Sequence, residues 1–156
     1  MGLNLGEFIH YGLYFARARL LGSRRPLVGG INITSYCNLK CAHCVYATDA
    51  IPREHLTRHQ IESMMAAFRR QGVRVLFLQG GEPTLWHDGD YGFNDLVRDA
   101  KRQFSQVACV TNGVLPIDNP CDLVWISVAR EPMPGWPRTS PPAPTPTCTP
   151  TSPSPG

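Results

Sequence analysis

The chain has 156 residues, 42% of them hydrophobic, and a formal net charge of +3, which allows one domain of ordinary size with a packed core. The charge is modest and comes partly from Arg17, Arg19, Arg24 and Arg25, so it does not argue for a nucleic-acid-binding face. Six cysteines without a recognisable signal peptide fit metal ligation in a reducing compartment better than a disulfide framework, and the apolar run from Phe8 to Leu21 is too short, and too interrupted by Arg17 and Arg19, to span a bilayer.

Three segments of unlike character follow in order. Residues 1–25 carry Leu5, Phe8, Ile9, Leu13 and Leu20 at helical spacing, with Gly22 as a stop, which predicts an amphipathic helix. Its plainer reading is a helix packed across an adjacent domain; the sharper one is a basic helix resting on a membrane surface. Residues 26–129 alternate strand and helix. Leu27 to Thr34 reads as a strand, and Thr57-Arg58-His59-Gln60 is a capping-box signature opening a helix through Ile61, Met64, Met65 and Phe68 that Gly72 closes. Val73 to Leu78 reads as a second, buried strand. A second helix carries Phe93, Leu96, Val97, Ala100 and Phe104, and strands at Val107 to Val110 and Leu123 to Val128 follow, joined by a connection too short for a full helix. Strands separated by helices in this way imply a parallel α/β sheet of about four strands. Residues 130–156 hold ten of the fifteen prolines, mixed with Thr and Ser, and predict an extended or disordered low-complexity tail.

Parallel α/β folds place their active sites at the carboxyl ends of the strands, and each strand here delivers a distinctive group there. The first delivers Cys37, Cys41 and Cys44, spaced Cys-x3-Cys-x2-Cys. Three thiolates on one loop can hold three corners of a cubane iron–sulfur cluster and leave the fourth open, where a metal site does its chemistry. The second strand delivers Gly80-Gly81-Glu82-Pro83, in which glycines permit close backbone approach and Glu82 suits an ammonium group. The third delivers Thr111-Asn112-Gly113, and the fourth Ser127. Zinc, with His43 as a fourth ligand, is disfavoured because His43 would be crowded between Cys41 and Cys44; His43 reads instead as a neighbour of the cluster. Cys109 reads as a small buried apolar residue, and neither Cys121 nor Cys148 reads as a ligand. His10, His55, His59 and His87 read as isolated and solvated, and Met64 and Met65 as core or core-edge.

From Leu27 to Val128 the chain resembles the radical S-adenosylmethionine (radical SAM) superfamily, on its cysteine motif joined at this distance to Gly80-Gly81-Glu82-Pro83. The resemblance implies the radical SAM type of partial (β/α) barrel, with a 4Fe–4S cluster on Cys37, Cys41 and Cys44 whose open iron is chelated by S-adenosylmethionine. It implies a cofactor-binding set of Gly80, Gly81, Glu82, Pro83, Asn112 and Ser127, with Glu82 and the backbone of Gly80 and Gly81 on the methionine ammonium and Ser127 on the ribose or carboxylate. It further implies reductive cleavage to a 5′-deoxyadenosyl radical that abstracts hydrogen from a substrate not identified by these residues. An electron donor such as a flavodoxin or ferredoxin and a cytoplasmic, low-oxygen setting complete the implication. The family's core is a partial (β/α)6 barrel that usually continues after a Ser-Val step with an Asp-Gly turn, whereas Ser127-Val128 is followed here by Ala129-Arg130-Glu131-Pro132. That switch reads as truncation or a reading-frame shift after the fourth strand. The competing expectations are a catalytically inactive fragment that at most binds a cluster, an electron-transfer module drawing a fourth ligand from Cys109 or Cys121, and a zinc-binding module.

Overall fold

A computed structural model describes residues 5–22, 24–41, 44–47, 51–127 and 149–150. Helix α1 (Leu5–Leu21) precedes strand β1 (Val28–Thr34) and the cysteine loop, which contains β2 (Leu39–Lys40) and a 3-10 turn at Val45–Ala47. Helix α2 (Arg58–Gln71) leads into β3 (Val75–Gly80), a 3-10 turn at Pro83–Leu85, and a hairpin of β4 (His87–Asp88) and β5 (Tyr91–Gly92). Helix α3 (Phe93–Lys101), β6 (Gln106–Thr111) and β7 (Leu123–Ile126) follow, and β8 (Thr149–Pro150) pairs antiparallel with β2. The four longer strands form one parallel sheet in the order β1-β3-β6-β7. This is the α/β architecture that the alternating pattern predicts. The expectations for His43, Val128 and most of the Pro-rich tail lie outside the described residues.

Local chemistry explains where the elements start and stop. The Gln60 N–H donates to Thr57 Oγ1 at 3.3 Å while the Thr57 N–H donates to Gln60 Oε1 at 2.8 Å, a reciprocal pair that satisfies otherwise orphaned donors at the start of α2. Gly72 closes that helix with φ +94°, its N–H on the Arg69 carbonyl, a conformation that favours glycine over residues with a Cβ. Two boundaries differ from the sequence reading. Val73 is buried, but its N–H donates to the Phe68 carbonyl and the Arg74 N–H to the Leu27 carbonyl, so the helix-to-strand turn uses both and β3 begins at Val75. Phe104 is buried from a turn after α3, its N–H on the Ala100 carbonyl, so apolar spacing continues beyond the helix that ends at Lys101.

The core lies on one face of the sheet. Ile31, Ile33, Leu76, Leu78, Val107 and Cys109 point from the strands toward Ile61 and Met65 of α2 and Leu96, Val97 and Ala100 of α3. Along β1 burial alternates, with Val28, Gly30 and Asn32 exposed on the opposite face. Parallel sheets ordinarily have both faces covered; among the described residues this one has helices on one. At the β7 edge Leu123, Trp125 and Ile126 are exposed. Met65 is fully buried and Met64 sits at the margin, as the helical spacing implied. On helix α1, Leu5, Phe8, Ile9, Leu13 and Leu20 are all exposed. No helix among the described residues is long and apolar enough to cross a membrane.

Leu78 is completely buried at the centre of the sheet, so Leu78→Ala should lower unfolding free energy by about 2–5 kcal/mol. The exposed cap variant Thr57→Ala should cost only about 1 kcal/mol. Urea titrations followed by circular dichroism check both values, and a cap cost equal to the core cost would contradict this partition.

Candidate functional site

The carboxyl ends of β1, β3 and β6 meet around one buried acid. Glu82 is fully buried. Its Oε1 accepts from the Thr84 hydroxyl at 2.7 Å, the Thr84 N–H at 3.2 Å and the Thr111 hydroxyl at 2.8 Å, and its Oε2 accepts from the Asn112 N–H at 2.8 Å. All four donors are neutral, and Glu82 belongs to none of the ion pairs among the described residues. A buried carboxylate without a cation retains much of its desolvation cost. Such an acid is suited to an incoming ammonium, which supplies both charge and donors.

The two glycines before Glu82 have a role that spacing alone did not reveal. A Cβ on Gly80, which has φ +148°, would lie 2.2 Å from the Thr34 carbonyl oxygen, and one on Gly81 would lie 2.2 Å from that of Tyr36. The Gly81 N–H donates to the Thr34 oxygen at 2.8 Å and the Glu82 N–H to the Tyr36 oxygen at 2.7 Å. The close backbone approach is therefore made to the strand that carries the cysteines. Pro83 is buried in the first turn of the short 3-10 segment, where its missing N–H costs nothing.

Asn112 connects the acid to the cysteine loop. Its backbone N–H is on Glu82, while its side-chain Nδ2 donates to Asn38 Oδ1 at 2.7 Å and lies 3.6 Å from Cys37 Sγ. The Leu39 N–H also points at Cys37 Sγ, at 3.4 Å. Further along the loop the Cys44 N–H donates to the Cys41 carbonyl at 2.9 Å. Cys41 is disulfide-bonded, so thiolate ligation by all three cysteines requires that bond to be reduced. No group of three or more His, Cys, Asp or Glu side chains among the described residues is gathered as a metal would hold them. Ser127 sits exposed at the end of β7, its N–H on the Thr111 carbonyl at 2.8 Å, on the same rim but not in contact with Glu82 through any hydrogen bond described.

Several residues at this edge have roles that sequence reasoning did not assign. Thr84 and Thr111 hold the Glu82 carboxylate; Thr111 was read only as part of the polar Thr-Asn-Gly turn, and the one sequence signal of Thr84 is its adjacency to Gly-Gly-Glu-Pro. His55 and His87 are not isolated. The His55 ring stacks on Tyr36 with centroids 4.6 Å apart and lies 5.1 Å from the His87 ring. His55 pairs with Thr34 in a β-bridge, and the Ser35 hydroxyl binds both Pro52 and Glu54, so residues 52–56 clamp the strand end that launches the cysteine loop. Long sequence separation hid this contact. Burial, and secondarily the neighbouring His87 charge, lower the His55 pKa from its ordinary 6.5. Cys109 is buried as expected, and Cys121 is placed beside it within hydrogen-bonding reach.

These groups define an α/β protein that brings a thiol loop and a buried acid to the carboxyl edge of a parallel sheet. The sequence model of the Radical SAM superfamily matches residues 31–124, more than half of the chain, and the chain belongs to that superfamily. Its curated relatives include the probable GTP 3′,8-cyclase of Archaeoglobus fulgidus, 33% identical over 85 residues that cover 54% of this chain and 27% of the relative. The GTP 3′,8-cyclase of Rhodopirellula baltica is 35% identical over 99 residues, 60% of this chain and 26% of the relative. The chain thus spans about a quarter of the length of these two proteins. Among solved structures, Streptococcus suis SuiB bound to precursor peptide SuiA aligns with a TM-score of 0.49 at 20% identity, over 74% of this chain and 25% of that one.

Gly81→Ala should destabilise the fold by about 2 kcal/mol or more, because its methyl has no room beside the Tyr36 carbonyl; an unfolding midpoint unchanged from the parent would contradict the crossing described. His55 should titrate below 6.5 when followed by NMR. With the folded-state pKa lowered, the unfolded chain takes up the proton first, so this residue's contribution to stability is intact above 6.5 and declines as pH falls through and below it.

Proposed function

We propose that this chain binds a 4Fe–4S cluster through Cys37, Cys41 and Cys44 and seats S-adenosylmethionine on its open iron. The single observation that carries the reading is Glu82, a fully buried carboxylate held by neutral donors only and linked through Asn112 to Cys37. The donor set fits the group: three cysteines on one loop, available as thiolates once Cys41 is reduced, and an acid with no cation paired to it among the described residues. Bound together, cluster and sulfonium would supply reductive cleavage to a 5′-deoxyadenosyl radical, the electron coming from a donor such as a flavodoxin or ferredoxin.

The chain's own residues would do the positioning. Glu82 would take the methionine ammonium, already oriented by Thr84 and Thr111. Any backbone contribution of Gly80 and Gly81 would come from carbonyl oxygens, because an ammonium needs acceptors and the Gly81 N–H is already donated to Thr34. Pro83 would hold the exit of the strand rigid. Asn112 would hold Cys37 and the acid in register, and Ser127 would offer its hydroxyl to the ribose or carboxylate from the neighbouring strand end. The substrate of the radical is left open: the GTP cyclases are matched over about a quarter of their length, so their substrate is not carried over. A cytoplasmic setting with reductant present would keep Cys41 available.

Anaerobic reconstitution with iron, sulfide and a thiol reductant tests the proposal. The parent should take up about four irons per chain, and Cys37→Ala should lose most of them. Glu82→Gln should keep the cluster but weaken S-adenosylmethionine binding, read by calorimetry, about tenfold or more. Release of 5′-deoxyadenosine under reduction supports the enzyme reading. A cluster that forms without any such release would support the inactive-fragment reading instead.

A further inference from the structure

We propose that α1 docks on an anionic phospholipid surface through its exposed apolar face. The side of α1 turned toward the rest of the chain is built from His10, Tyr11, Tyr14 and Ala18, all half-buried. The Tyr14 hydroxyl donates to the Arg25 carbonyl at 2.7 Å, and His10, Leu13, Tyr14 and Arg17 line a groove closed by Arg25 and Gly72. With that side against the body, the opposite side faces outward. It carries Leu5, Phe8, Ile9 and Leu20, which share one face at helical spacing with Gly12 and Ala16 between them, while Leu13, half exposed, sits at the margin between that face and the groove. Phe8 is 68% exposed and Leu20 79%. The helix is thus apolar outward, the reverse of a helix that belongs to a soluble core.

The charge pattern selects the occupant. Four arginines, Arg17, Arg19, Arg24 and Arg25, against the single acid Glu7 leave residues 1–25 with a formal charge of +3, the whole net charge of the chain. Arg17 lies one turn beyond Leu13 at the margin of the groove and Arg19 one turn beyond Phe15, so exposed basic groups flank the C-terminal end of the apolar face on both sides. None of the described ion pairs engages these arginines. An apolar stripe that ends in cations matches a surface whose acyl boundary accepts Phe and Leu and whose phosphates accept guanidinium groups. At 17 residues, with arginines in its last turns, the helix would lie in the plane of the surface rather than cross it.

Sedimentation of the full chain with vesicles decides the matter. Phosphatidylglycerol–phosphatidylcholine vesicles should bring the protein down, pure phosphatidylcholine vesicles should do so far less, and raising salt from about 0.1 M to about 0.5 M should release it. The double variant Phe8→Glu, Ile9→Glu should lose binding. Arg17→Gln, Arg19→Gln should weaken it about tenfold or more while keeping the apolar face, so the two arms remain informative even if one variant folds poorly. Both should retain the parent's circular dichroism, since the altered side chains are exposed. Failure to sediment with anionic vesicles at low salt, equal binding to neutral vesicles, or Phe8-dependent self-association without vesicle binding would each overturn the proposal.

Discussion

The site depends on the burial of one negative charge. Glu82 stands at the carboxyl end of the second strand of the sheet, where three side-chain or backbone donors from its own turn and the next strand converge on one oxygen and a backbone donor on the other. Donors of that kind are worth more in a low-dielectric surrounding than in water, and leaving any of them out is expensive. The acid therefore organises the Pro83–Leu85 turn, the end of β6 and the Asn112 turn at once. Because Asn112 also reaches Cys37, the geometry of the thiol loop is coupled to that carboxylate through a single residue.

The coupling is possible only because the strand ends cross so closely. Gly80 and Gly81 allow backbone to lie against the backbone of Thr34, Ser35 and Tyr36, at distances where any Cβ would collide. Residues 52–56 close the other side through Ser35 and His55. The strand that carries the cysteines is thus held from both sides, while its loop extends beyond the sheet. Helices on one face make the core, and on the opposite face Val28, Gly30 and Asn32 are exposed. Rigid placement at the carboxyl edge is where parallel α/β folds present their ligand sites.

Much of this was legible because it rests on short-range patterns. The capping box at Thr57, the αL stop at Gly72 and the apolar runs of the four strands are local, and local chemistry sets them nearly alone. The Cys37, Cys41, Cys44 spacing and the Gly80-Gly81-Glu82-Pro83 turn are short-range signals of the same kind. The readings that missed were those in which a tertiary contact competes with periodicity. Val73 and Phe104 are apolar and buried, yet each sits in a turn, because burial does not require membership of the element whose pattern it continues. His55 and His87 looked solitary because their partners, Tyr36 and each other, are distant along the chain.

By itself the sequence determined the order and kind of the elements, the thiol loop, and the acid placed after paired glycines, since each of these is written in residues within a few positions of one another. Only the tertiary structure decided that Glu82 is completely buried with no cation paired to it among the described residues, that Thr84 and Thr111 restrain it, and that Asn112 ties it to Cys37. It also decided which side of α1 faces outward. Those outcomes depend on where separate strand ends arrive in space, and the number of ways they could arrive is reduced only when the hydrophobic core forms and fixes the register of the sheet.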